Sequence, residues 1–160
     1  MVGAGRNPQA LAGLKTLGAD AVISLDQEQD AQVAAFRNEF AGEGVDVVLD
    51  YLWGPPTTDA MVAVITSRAD RGKPLAWIEI GSVAGPTAQI PSAALRAARL
   101  QLVGSGQGSV STREYLAELD VLAQEIASGA IAVDARAVPL AQVEQAWAAT
   151  DAKHRIVLVP

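Results

Sequence analysis

A chain of 160 residues with a formal net charge of -6 and no cysteine sets early limits. The length suits one domain with a sizeable core, and a composition half hydrophobic and 19% charged lies far from the disordered regime. Twelve scattered Lys and Arg form no basic stripe for nucleic acid, and the absence of cysteine excludes disulfides and Cys-bound zinc.

The opening Met-Val-Gly-Ala-Gly is too short and too uncharged for a signal peptide. No apolar run approaches the roughly 18 residues a membrane helix needs. A soluble cytoplasmic protein without a membrane partner is therefore expected.

In chain order, Val2–Gly5 reads as the end of a strand. Asn7-Pro8 reads as a helix cap followed by the first helical residue, because Asn accepts an orphan N–H and Pro loses nothing there. Leu11, Leu14 and Leu17 follow at helical spacing, and Gly18 stops the helix. Ala21-Val22-Ile23 predicts a short buried strand. Residues 30–40 predict a helix with Val33, Phe36, Arg37 and Phe40 on one face. Val45–Asp50 is the strongest strand signal, broken by Gly54-Pro55-Pro56. Thr57 or Thr58 is expected to cap the next helix, which runs to about Thr66.

Leu75–Ile80 predicts a strand that runs into Gly81–Gly85. A short helix is expected over Ser92–Ala98, then a strand at Leu100–Val103 ending in Gly104–Gly108. Ser111 and Glu114 form a capping box for a long helix that Gly129 stops. Val133–Val138 reads as extended, Leu140, Val143 and Trp147 mark a short amphipathic helix, and Ile156–Val159 is a final strand.

Strands alternating with helices predict a parallel sheet covered on both faces. Ligands of such sheets bind at the carboxyl ends of the strands. Those ends are Gly3–Asn7, Asp50–Gly54, Gly81–Gly85 and Gly104–Gly108, mostly rich in glycine, which lets a backbone approach a ligand closely. The pattern suits a nucleotide or another flat anionic ligand.

Five stretches carry a more specific signal: Gly5-Arg6-Asn7, Leu17-Gly18-Ala19-Asp20-Ala21-Val22-Ile23, Val45–Asp50, Glu79-Ile80-Gly81-Ser82 and Arg155–Pro160. In this order and spacing the chain resembles the medium-chain dehydrogenases/reductases, the zinc-free quinone oxidoreductase branch especially. The resemblance implies an α/β fold with a Rossmann-like doubly wound parallel sheet, entered after its first strand and Gly-rich turn. It implies a partial nucleotide-binding domain over 1–130 and a C-terminal segment, 131–160, that returns to a catalytic domain. Gly-x-Gly-x-x-Gly is not found: Pro8 stands where the third Gly belongs.

In the strand order 3-2-1-4-5-6 the first strand is central. Without it, Val2–Gly5 and Val45–Asp50 lose their shared neighbour, and unpaired interior edges are costly. Three candidates could fill the place: an upstream segment, a strand from another protomer, or Ile156–Val159.

The resemblance also implies roles for residues. The cofactor is NADP, held by Gly5, Arg6, Asn7, Leu52, Trp53, Gly81, Ser82, Gly104 and Ser105. Gly3–Asn7 holds no Asp or Glu for a ribose 2′-hydroxyl, whereas Arg6 offers a planar fork for a 2′-phosphate. Some relatives add a Lys where this chain has Ala10. Gly81 and Ser82 would meet the nicotinamide or its ribose, or simply make a tight turn. Trp53 would wall the cleft or anchor its loop. Asp50 could be a catalytic carboxylate or a strand-terminal cap.

Gly104–Gly108 reads as a flexible rim, since no P-loop Lys follows. His154 reads as part of a solvated turn, and Tyr115 has no Lys four residues on. The expected activity is hydride transfer to a small quinone or enone-like carbonyl substrate, with no residue assigned as catalytic. The alternative is a non-catalytic nucleotide-binding or dimerisation module derived from such an enzyme, with Leu100–Val103 as an edge that pairs with its copy. A receiver-like domain with Asp50 as phosphate acceptor would need further acidic residues at the first strand and a Lys after a late strand, and neither is visible.

Overall fold

The computed structural model describes residues 1–41, 44–131, 133–149 and 154–160. They divide into two compact units, Met1–Ser109 and Val110–Pro160.

The first unit alternates strand and helix throughout: β1 (Val2–Gly5), α1 (Pro8–Thr16), β2 (Ala21–Ser24), α2 (Gln29–Ala41), β3 (Val47–Asp50), α3 (Gly54–Ser67), β4 (Leu75–Glu79), α4 (Ser92–Ala97) and β5 (Leu100–Gly104). All its strand pairs are parallel. β1 pairs with β2, and β3, β4 and β5 form a separate sheet in that order. β1 and β3 are not hydrogen-bonded to each other. The order β2-β1, then β3-β4-β5, is that of a Rossmann-like sheet opened between its two halves.

Local chemistry explains where the elements start and stop. Asn7 caps α1, its side chain accepting from the backbone N–H groups of Gln9 and Ala10 at 2.9 and 3.1 Å. Gly18 leaves that helix at φ +97°, a conformation open to glycine.

One buried core joins the two sheets. Phe36 and Phe40 of α2 stack with ring centroids 5.7 Å apart and belong to one buried cluster with Ile23, Met61, Val64, Leu75 and Trp77. Helices α2 and α3 pack on each other, and Gln29 Nε2 donates to the Asp59 carboxylate at 3.0 Å. Burying side chains of this size stabilises by about 1.5–3 kcal/mol each. Arg37, expected on the same face as the two phenylalanines, is exposed. It lies one residue beyond Phe36, which a helix turns by about 100° away from the apolar stripe.

The second unit holds α5 (Thr112–Ser128), β6 (Ala135–Pro139), a 3₁₀ turn at Leu140–Gln142, α6 (Val143–Ala148) and β7 (Arg155–Val159). The capping box at α5 is formed: Ser111 Oγ accepts from the Glu114 N–H, and the Glu114 carboxylate accepts from the Ser111 N–H. Gly129 ends the helix at φ +80°. β6 and β7 pair in parallel along their full length. Ile156–Val159 thus has β6 as its neighbour and forms a sheet with it. Among the described residues no helix is long and apolar enough to cross a membrane.

Candidate functional site: the carboxyl rim of the first unit

The rim at the end of β3 is built around Asp50. The residue is only 7% exposed, and its carboxylate accepts four hydrogen bonds. They come from the Leu52 and Trp53 N–H groups at 2.9 and 3.0 Å, the Thr57 hydroxyl at 2.6 Å and the Trp77 indole N–H at 2.9 Å. Burial would push the carboxyl pKa up, but these donors together outweigh it and hold it below the usual carboxylate range. A strand-terminal cap is what this geometry describes.

The same carboxylate resets the start of α3. Thr57 or Thr58 is the cap expected from the sequence, yet the helix already begins at Gly54. Thr57 donates to Asp50 instead, and Trp53 stands at the cap position without a side-chain cap bond. Trp53 takes φ 54°, an unusual backbone for a bulky residue, and its N–H is fixed by Asp50. Pro55 and Pro56 fit because the first helical turn needs no N–H donors.

Backbone bonds then join the β3 loop to the β4 loop. Ile80 and Gly81 N–H groups donate to Asp50 O at 2.7 and 3.2 Å, Val83 N–H to Tyr51 O at 3.3 Å, and Ala84 N–H to Leu52 O at 2.7 Å. Two glycines allow the close approach, and Gly54 needs its positive φ as well. A Cβ on Gly81 would meet Tyr51 O at 3.2 Å, and one on Gly54, at φ +70°, would meet the Ala84 carbonyl at 3.1 Å. Gly81, Leu52 and Trp53 are half-buried and Ser82 is exposed.

The other predicted site residues are placed as follows. Gly5 closes β1, and its carbonyl accepts from Leu25 N–H at 2.8 Å. Arg6 is exposed immediately after it. Asn7 holds its Oδ1 on the α1 cap, so that atom is committed to the helix. Gly104 and Ser105 are exposed at the end of β5, with Ser105 N–H donating to Glu79 O at 2.7 Å. Ser109 then closes the glycine-rich turn onto Gly106, its hydroxyl accepting from the Gly106 N–H and donating to the Gly106 carbonyl, both at 2.8 Å. Within each sheet these positions follow carboxyl ends of parallel strands. In the second unit His154 Nε2 lies 3.6 Å from the Asp134 carboxylate.

Sequence reasoning missed Thr57 and Trp77 as partners of Asp50. Thr57, seven residues on, could have been suspected as an alternative to a cap. Trp77, 27 residues away, gives no local signal.

No significant match is found among curated protein sequences. Solved structures do resemble the chain. A mycobacterial quinone oxidoreductase matches with a TM-score of 0.76 at 24% identity over 99% of this chain and 48% of its own. A mycobacterial protein solved in complex with NADPH matches at 0.68 and 27% over the same shares. A putative alcohol dehydrogenase from Sinorhizobium meliloti matches at 0.69 and 26% over 99% and 41%. The chain therefore spans less than half the length of these proteins.

A zinc centre needs several His, Cys, Asp or Glu ligands grouped in space. Among the described residues no three His, Cys, Asp or Glu side chains are grouped to hold a metal, and with one His and no Cys these residues do not fit such a centre. A family model described as zinc-binding dehydrogenase matches residues 17–156, most of the chain, and on that match the chain belongs to the zinc-binding dehydrogenase family.

Proposed function

We propose that this chain is the cofactor-binding part of an NADPH-dependent oxidoreductase that reduces a quinone or an enone-like carbonyl. The observation that carries the cofactor reading is the end of β1. There Arg6 stands exposed on a stretch, Gly3–Asn7, without a single acidic side chain. A carboxylate at this place would favour a free ribose 2′-hydroxyl, whereas a guanidinium favours a 2′-phosphate. The mycobacterial relative solved with NADPH supports the same choice.

The donor set fits a dinucleotide. Arg6 would hold the 2′-phosphate, with Gly5 and the backbone around Asn7 allowing close approach. Leu52 and Trp53 would wall the cleft. Gly81 and Ser82 would face the nicotinamide side, and Gly104 and Ser105 would complete the rim. When bound, a reduced nicotinamide supplies the hydride. The residues of this chain bind, orient and shield. Asp50, already saturated with donors, keeps the β3 loop in place and transfers no proton. The small-molecule substrate would meet the nicotinamide at this rim. The exposed edge of β5, Leu100–Gly104, suits pairing with a second copy in a homodimer.

Arg6→Asp tests the reading. Charge-assisted bonds to the 2′-phosphate are worth about 1.5–3 kcal/mol, so NADPH affinity should fall about 10- to 100-fold while NADH affinity changes little. Equal losses for both cofactors in a binding titration would defeat the assignment.

A further inference from the structure

The three tryptophans of the chain stand in different surroundings. Trp77 is 1% exposed, and its indole N–H is held by Asp50. Trp147 is 88% exposed. Trp53 lies between these limits, half-buried at the carboxyl rim.

The backbone of Trp53 is the outlier. At φ 54° and ψ −168° it stands at the edge of a region that is essentially confined to glycine, because a Cβ there crowds its own backbone. The loop is pinned on both sides of it. Trp53 N–H donates to the Asp50 carboxylate at 3.0 Å, Ala84 N–H donates to Leu52 O at 2.7 Å, and Gly54 lies against the Ala84 carbonyl. These contacts use the backbone and the Asp50 carboxylate, not the indole. A glycine at position 53 would keep every one of them and remove the strain. The shape of the loop therefore does not call for an indole.

The core does not use the ring either. Among the described residues Leu52 and Ile90 are half-buried neighbours packed on the buried cluster, and Trp53 is not one of them. The aromatic pair among those residues is Phe36 with Phe40. The indole Nε1 has no protein acceptor among the described residues, and no buried polar side-chain atom there is left unpaired, so this N–H opens to solvent. A large ring with a free donor is thus held at a binding rim in a backbone that disfavours it. Strain of this kind clusters at ligand clamps and active sites, where the side chain is used.

We propose that Trp53 is a stacking platform whose indole face takes one flat heteroaromatic ring of a dinucleotide, adenine or nicotinamide. Stacking on an aromatic face needs only the π-face of the ring, and the free Nε1–H remains to bond a polar atom of the same ligand. The inference rests on the dinucleotide reading of the rim and deepens it.

The test uses the 160-residue chain carrying 5-fluorotryptophan, which gives a fluorine NMR line for each tryptophan. Trp53→Phe identifies the Trp53 line by its loss. NADPH should shift that line and leave those of Trp77 and Trp147 in place. Adding 2′-phospho-AMP and nicotinamide mononucleotide separately tells which ring stacks, by which of them moves the line. Trp53→Gly should weaken NADPH binding about 5- to 100-fold, and Trp53→Phe should keep it within about threefold. Trp53→Ala retains a Cβ in the strained backbone, so the glycine variant should unfold at a higher urea concentration than the alanine variant. If the glycine variant fails to fold, the line shift and the phenylalanine variant still decide. NADPH binding that leaves the Trp53 line unmoved, or equal affinity in the parent and Trp53→Gly, would overturn this inference and leave the cofactor reading standing. An alanine variant more stable than the glycine variant would remove the strain on which it is built. A folded parent that binds no NADPH would overturn the cofactor reading and this inference with it.

Discussion

The two ends of the β3–β4–β5 sheet hold their loops by opposite means. At the carboxyl end one short buried anion, Asp50, gathers four donors from β3, α3 and β4. At the amino end long cations bind the loops. The Arg68 guanidinium, in a residue only 5% exposed, donates to Ala98 O and Pro74 O at 3.4 and 3.3 Å. Arg99 donates to Gly72 O at 3.1 Å, and Lys73 pairs with Asp46 at 2.8 Å. The anion sits beneath its loops and leaves their outer backbone open to a ligand. The two arginines lie across their loops and occupy backbone carbonyls. The first arrangement suits a binding rim, the second a closed base.

Removing the anion should have the largest effect. Asp50→Ala leaves the Trp77 indole and two backbone N–H groups without their acceptor. Bonds to a charged acceptor are worth about 1.5–3 kcal/mol each, and not additively, so a loss of about 3–5 kcal/mol is expected in denaturant unfolding. The Leu52 and Trp53 amides should also exchange faster. Because the folded pKa of Asp50 is lowered, its contribution is fully present above the unfolded carboxyl pKa, near 3.9, and is lost as pH falls through the lower folded value. The gap between Asp50→Ala and the parent should therefore narrow only in strong acid. A gap that already closes near neutrality would place the pKa shift in the wrong direction.

Trp77→Phe takes one donor from Asp50 and leaves a gap where a fully buried indole was. It should cost about 2–4 kcal/mol, with the Asp50 pKa moving up toward the ordinary value, as followed by carboxyl NMR titration. Arg68→Met keeps much of the stem and removes the guanidinium. About 1–3 kcal/mol should be lost, and the rim amides should keep their exchange rates. A change at Leu52 or Trp53 would show that the two ends are not independent.

Much of the alternation was legible because local chemistry decides it. Asn7-Pro8, Gly18, Ser111 with Glu114, and Gly129 act within one helical turn of themselves, and each does in the structure what its residue type implies. The strand ends were legible within two residues. The Asp50 cluster was legible only as a cap, since Trp77 reaches it through tertiary packing. The start of α3 at Gly54 was hidden for the same reason: Thr57 reads as a cap until a buried carboxylate claims its hydroxyl. Arg68 lies in a polar run, Ser67–Lys73, that reads as solvated, and only the close approach of Pro74 and Ala98 buries it. The opening between β1 and β3 was foreseen from strand order. That β7 has β6 as its neighbour could not be read from an apolar run alone.

The most direct measurement is an amide chemical-shift map of the chain titrated with NADPH. The binding-rim account predicts that perturbations gather at Gly5, Arg6, Leu52, Trp53, Gly81, Ser82, Gly104 and Ser105, with Arg68, Gly72 and Ala98 unmoved. Perturbations at the amino end, or none at saturating cofactor, would contradict it.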